Sequence, residues 1–149
     1  MSALDELETF CSTNQIAYRR DDPRLALQLK GEHRLTIGIV ATLGETHLRF
    51  ESFFMRRPQE DQDAFHQLLL QRNLRARGVA FALDTDGDAF LVASLPIVAV
   101  DQDELDRIVG AFLVESDGNF ETAMKIGFAS YLEADLAWRA KQGQPSQPS

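Results

Sequence analysis

Residues 81–92, "FALDTDGDAFLV", place three aspartates, Asp84, Asp86 and Asp88, at alternate positions around Gly87. Carboxylates at that spacing resemble the opening ligands of a calcium loop, where about six to eight oxygens surround the ion. An EF-hand loop starting at Asp84 needs glycine at its sixth position and a bidentate glutamate at its twelfth. Those positions hold Ala89 and Leu95. The stretch reads instead as a hairpin, because Asp86-Gly87 between two alternating apolar runs is a strong signal for a two-residue turn with positive φ at both central residues. No other group of residues points to chemistry. His33, His47 and His66 form no pair at zinc-helix spacing. Cys11 falls on an apolar helical stripe without a basic neighbour, the setting of an inert buried thiol. The chain has no nucleophile elbow, phosphate-binding loop or dinucleotide fingerprint. Its carboxylates cluster at helix starts and turns. No metal, cofactor or catalytic residue is expected.

The elements around these residues follow from periodicity. Ser2–Thr13 carries Leu4, Leu7, Phe10 and Cys11 at helical spacing, and Ser2 with Asp5 resembles a capping box. "RRDDPR" is a turn-rich loop. Three strands follow: Leu25, Leu27 and Leu29 alternate, as do Leu35, Ile37, Ile39, Ala41 and Leu43, and then Leu48, Phe50 and Phe54. Gly44-Glu45 is short enough to make a hairpin of the second and third. A helix begins near Pro58, with Phe65, Leu68, Leu69 and Arg72 on one stripe and Gly78 as a left-handed stop. Two strands flank the Asp-Gly turn. Asp101 and Glu104 open an amphipathic helix through Leu105, Ile108, Val109, Phe112 and Leu113, which "SDGN" is expected to break. A last helix runs from about Phe120 to Arg139, and residues 141–149 form a low-complexity disordered tail. Strands in runs, with helices not interleaved one by one, predict an α+β fold with an antiparallel sheet, in the order α-β-β-β-α-β-β-α, with one further terminal helix. Residues 1–140 read as one domain.

Composition bounds the partners. The net charge is −8 and the pI near 4.8, which disfavours sequence-independent nucleic-acid binding and docking on anionic lipid. A protein partner is compatible with that charge. The first residues lack the basic and apolar blocks of a signal peptide, and no apolar run reaches the roughly 20 residues a bilayer requires. A single cysteine fits a reducing cytoplasm.

Two clusters hold more apolar surface than one core face uses. Phe53, Phe54 and Met55 are consecutive, so at least one points away from the core. The last helix carries Met124, Phe128, Tyr131 and Leu132 on one face, with Trp138 beyond. Either the terminal helices cover the second face of the sheet, or Phe53, Met55, Phe128, Tyr131 and Trp138 belong to an interface with a protein partner or a second copy.

The segment 62–115 is similar to the YbjN family, small bacterial proteins whose fold resembles that of type III secretion chaperones. Leu68-Leu69, Asn73-Leu74, Gly78, Phe81-Ala82-Leu83-Asp84, Gly87, Leu91, Leu95, Glu104-Leu105 and Ile108 carry the resemblance. It implies a chaperone-like fold, frequent dimerisation and no catalytic residues to transfer. The C-terminal part departs from the pattern, with two helices and a tail where the chaperones have one helix. The expectation is a non-enzymatic, cytoplasmic protein-binding module, homodimeric, chaperone-like or regulatory. The alternative is a small-molecule-binding or enzymatic domain using carboxylates in a pocket between sheet and helices.

Overall fold

The computed structural model describes residues 1–34 and 36–143. Leu35 and residues 144–149 of the expected disordered tail lie outside the described residues. The elements are α1 (Ala3–Thr13), β1 (Ala17–Asp21), β2 (Arg24–Leu29), β3 (Ile37–Leu43), β4 (His47–Met55), α2 (Gln62–Arg75), β5 (Ala80–Leu83), β6 (Ala89–Pro96), α3 (Gln102–Gly127) and α4 (Ala129–Lys141), with a short 3-10 turn at Ile97–Ala99. The six strands form one antiparallel sheet in the order β1-β2-β3-β4-β6-β5. This is the expected α+β class and order, with one strand added. Arg19–Asp21, the first half of the segment expected to be a turn-rich loop, belongs instead to β1, which pairs with β2 through the turn at Asp22-Pro23.

Alternation decides which face is core. Leu25, Leu27 and Leu29 of β2, Ile37, Ile39 and Ala41 of β3, and Leu48, Phe50 and Phe54 of β4 all point to one side and are buried there. α1 and α3 cover that side with Leu4, Leu7, Phe10, Leu105, Ile108, Val109 and Phe112. Ser2 and Asp5 make the expected capping box on α1, at 3.1 and 2.9 Å. Asp101 caps α3 by accepting from the Glu104 N–H at 2.8 Å. Gly78 has the left-handed backbone, φ +82°, but α2 stops earlier, at an extended Ala76, so Gly78 turns the chain two residues beyond the helix cap and is not the stop itself.

Four further local expectations are corrected. The sequence Ser116–Asn119 does not break the helix, and α3 runs through it to Gly127. Its would-be breakers are held by tertiary contacts: the Asp117 carboxylate accepts the backbone N–H groups of Glu32, His33 and Arg34 at 3.2, 2.8 and 3.0 Å, and the Ser116 hydroxyl accepts from Arg34 at 2.8 Å. The break falls instead at Phe128, beyond Gly127, whose carbonyl accepts from the Gln59 and Glu60 N–H groups at 3.0 and 3.2 Å. A Cβ on Gly127 would lie 2.7 Å from the Pro58 Cβ, so only glycine fits. Pro58 accordingly belongs to that docking loop and not to the first turn of α2, which begins after a left-handed Asp61.

The third correction concerns the hairpin. Leu83 pairs with Ala89, so the loop spans residues 84–88 and is not a two-residue turn. Gly87 has φ +87°, whereas Asp86 has no positive φ. The wider loop is stabilised by Asp84, whose carboxylate accepts from the N–H groups of Asp86 and Asp88, both at 2.9 Å. The fourth is the placement of Met55. A bulge between Phe53 and Met55 shifts the register against β6, so Phe54 and Met55 both turn into the core.

Candidate partner-binding surface

Two of the three loop aspartates are occupied by the backbone. Asp84 holds the loop, and Asp88 accepts from the Arg57 N–H at 2.8 Å. Among the described residues no group of three or more His, Cys, Asp or Glu is arranged to hold a metal ion. The Cys11 thiol is buried, and desolvation, aided by the nearby Glu8, pushes its pKa up to about 11, out of the range of a nucleophile at neutral pH.

Buried polar side chains are few. Glu115 is the buried carboxylate among the described residues, and Arg72 donates to it from Nε and Nη2 at 3.1–3.2 Å while Asn119 donates to it at 3.2 Å. It borders an open cleft of about 660 Å³ between the end of α2 and α3, which also holds Arg75, Arg77, Glu104 and Arg107. Glu104 is itself paired with Arg107 at 3.0 Å. Both carboxylates of this cleft are thus ion-paired with arginines.

The apolar surface lies elsewhere. α2 buries Phe65 and Leu69 on its inner side. Leu70 and Leu74, one turn apart on the outer side, are 68% and 85% exposed. Leu83, on the edge strand β5 beside them, is also exposed. Leu70 and Leu83, with His66, Leu69, Phe81 and Ala82, line a hollow of about 270 Å³ between helix and strand, and Leu74 stands a turn further along α2. One contact shapes this edge: Asn73 of α2 donates to the Phe81 carbonyl at 3.0 Å and accepts from the Phe81 N–H at 2.7 Å. The outward backbone groups of β5 at Phe81 are therefore satisfied, and the hollow offers side chains rather than a free ladder.

The five residues singled out in the sequence separate. Met55 and Phe128 are buried and present no surface to a partner, a correction in both cases. Met55 is turned inward by the bulge. Phe128 plugs the junction of α3 and α4 beneath the Arg56 guanidinium, 4.7 Å from its ring centre. Phe53, Tyr131 and Trp138 are about half exposed. Phe53 packs edge-to-face on Phe90, at 5.5 Å between centroids, on the solvent side of the sheet. Tyr131 and Trp138 lie on α4, away from the hollow. Sequence reasoning missed Leu70, Leu74 and Leu83. The signal was present for the first two: a leucine pair at i, i+4 lying off the core stripe of α2.

A helical layer on one face of an antiparallel sheet, with its leucine-rich helix beside an edge strand, is the fold class of the type III secretion chaperones. Three solved structures share it: the HopA1–SchA chaperone–effector complex (TM-score 0.58, 18% identity, covering 79% of this chain and 92% of the other), the ExoU–SpcU complex of the Pseudomonas aeruginosa type III secretion system (0.58, 20%, 78% and 96%), and the E. coli protein YbjN (0.51, 16%, 78% and 92%). The chain belongs to the YbjN family, described as "Putative bacterial sensory transduction regulator", which matches residues 3–123. Relatives include an uncharacterized Mycobacterium tuberculosis protein, 38% identical over 125 residues that make up 84% of this chain and 68% of the relative. One from Mycobacterium leprae is 35% identical over 121 residues, 81% and 66%. The fold and the family agree with the sequence reading. α4 lies outside the residues the family matches.

Proposed function

We propose that this protein is a non-enzymatic protein-binding module, chaperone-like or regulatory, that receives an apolar segment of a partner polypeptide in the hollow between α2 and β5. The observation that carries the reading is the exposure of Leu70 and Leu83 at one apolar hollow, with Leu74 exposed a turn further along α2, in a chain of net charge −8. Large aliphatic groups grouped on an otherwise charged surface are the mark of an interaction site. Structures of the same fold solved in complexes, one a chaperone–effector complex and one a heterodimer of a type III secretion system, support it. Because Asn73 closes the backbone of β5 at Phe81, the partner inserts side chains between helix and strand instead of adding a strand there. The opposite sheet edge, β1, is less suited. It carries Arg19, Arg20 and Asp21, the charged protection that edge strands use against pairing. A single buried thiol suits a reducing cytoplasm.

The test is affinity capture with the native chain and a Leu70→Asp/Leu74→Asp double variant side by side. Both leucines are on the surface, so the variant should melt at the same temperature. The reading expects a partner retained by the native chain and reduced at least tenfold by the variant. Identical capture by the two would sink it.

A further inference from the structure

The cleft between the end of α2 and α3 holds more positive charge than its own carboxylates balance, in a chain of net charge −8. Arg75, Arg77 and Arg107 line it, and Arg72 reaches its edge through Glu115. Arg72 is paired with Glu115 and Arg107 with Glu104. Among the described residues, Arg75 and Arg77 make no ion pair and no side-chain hydrogen bond. The negative end of α2 explains Arg72 and Arg75, because cations are favoured in the last turn of a helix. It does not explain Arg77, which lies beyond the cap at Ala76, or Arg107, which comes from α3.

Below this rim the cleft is apolar. Leu95 and Ile108 are its buried floor, and Ala111 and the exposed Val114 continue it along α3. Gly110 keeps that wall low: a Cβ there would meet no atom within 4 Å. The volume of about 660 Å³ falls within the range of about 300–1,000 Å³ that small-molecule sites occupy.

We infer that this cleft binds a small phosphomonoester, its phosphate between Arg75 and Arg77 and its apolar body on Leu95, Ile108, Ala111 and Val114. Charge selects the phosphate. With Glu104 and Glu115 matched, two guanidinium groups are left over, and a phosphomonoester carries about −1.5 to −2 at neutral pH. A carboxylate brings one charge and two oxygens, enough for one guanidinium fork, whereas three phosphate oxygens serve both. The floor selects an ester over the free ion, since inorganic phosphate leaves the apolar lining in water. The rest of the chain selects a small ligand: an extended polyanion would run out over a surface that repels it. This site is separate from the hollow between α2 and β5 and does not depend on what that hollow receives.

The test is calorimetric titration of the full chain with phenyl phosphate, against phenyl sulfate, which has the same body and one charge, and inorganic phosphate, which has no body. Phenyl phosphate should bind at least tenfold more tightly than either. Arg75→Ala/Arg77→Ala should weaken it at least tenfold, with an unchanged melting temperature in the absence of ligand, because neither side chain has a partner to lose. Gly110→Leu keeps every charge but fills the cleft, and should weaken binding by a similar factor. A diffuse attraction to surface arginines would not respond to that substitution. Leu70→Ala, in the other hollow, should leave the affinity as it is. No binding at millimolar phenyl phosphate overturns the inference. So does equal affinity for inorganic phosphate or phenyl sulfate, binding that survives Arg75→Ala/Arg77→Ala, or binding untouched by Gly110→Leu.

Discussion

α3 and α4 are consecutive helices separated by one residue, and both are rich in apolar side chains, yet they stand in opposite relations to the core. α3 buries Leu105, Ile108, Val109 and Phe112 and, in its second half, Glu115, Ser116 and Asn119 as well. α4 buries nothing and carries Tyr131, Leu136 and Trp138 outside. Hydrophobic content does not separate them, because exposure of single apolar residues is ordinary. The polar residues do. Two of the buried polar groups of α3 have partners on other elements, Glu115 with Arg72 and Ser116 with Arg34, while Asn119 donates within the helix to the Glu115 carbonyl. Asp117, at its side, gathers three backbone N–H groups. The polar side chains of α4 beyond its first turn bond within the helix, as in the Asp135–Arg139 pair at 3.1 Å. A polar residue that has found a distant partner marks an interior helix more reliably than a leucine does.

The largest effect that would break this comparison is in the core. Phe112→Ala removes a fully buried ring that faces Phe50 at 6.2 Å and should cost about 3–5 kcal/mol in a denaturant titration. Trp138→Ala, measured in dilute solution, should stay within about 0.5 kcal/mol. A similar loss for the two would mean that α4 is part of the folded core after all.

A middle effect belongs to Asp117. Asp117→Ala leaves three N–H groups of the 32–34 loop without their acceptor and should cost about 1–3 kcal/mol. The native protein should show the same contact as an acid dependence. Partial desolvation pushes the Asp117 carboxyl up, but the N–H groups of Arg34, His33 and Glu32 outweigh it and hold the carboxyl below its usual range. Asp5 is lowered from 3.8 to about 2, chiefly by its hydrogen bond from Arg20. Both folded values are depressed, so each contribution is present above about pH 4 and is lost as pH falls through the depressed folded value, about 2 for Asp5. The acid slope below about pH 4 should be shallower in Asp117→Ala. An unchanged slope would show that the carboxylate does not hold the loop.

The smallest effect sharpens the contrast. Asp135→Ala breaks an in-helix pair on α4 and should change stability by no more than about 0.3–0.5 kcal/mol at low concentration. A cost like that of Asp117→Ala would erase the distinction between the two helices.

What the sequence made legible follows the same division. Strands β2, β3 and β4 were readable because one face is core and the other solvent, which writes a period of two into the residues. β1 was hidden because "AYRRD" is an edge strand whose composition answers to water rather than to packing. The path of α3 through Ser116–Asn119 was hidden for a different reason. Serine, aspartate, glycine and asparagine disfavour helix locally, and the contacts that override them join residues about 80 positions apart, beyond any window of periodicity. Of the candidate surface, Leu70 and Leu74 were legible as an i, i+4 pair off the core stripe. The burial of Met55 was not, since it depends on a bulge set by the pairing of β4 with β6.

α3 is also late in synthesis. It roofs strands β3, β4 and β6, yet its last turn is made some 30 residues after β6 ends. At roughly 5–20 residues per second, the ribosome presents an almost complete sheet with part of its apolar face bare for a few seconds before the helix can close over it. Until then the nascent chain is itself in need of shelter, and the step that makes it safe in the cell is the arrival of one helix whose polar side chains find partners made long before.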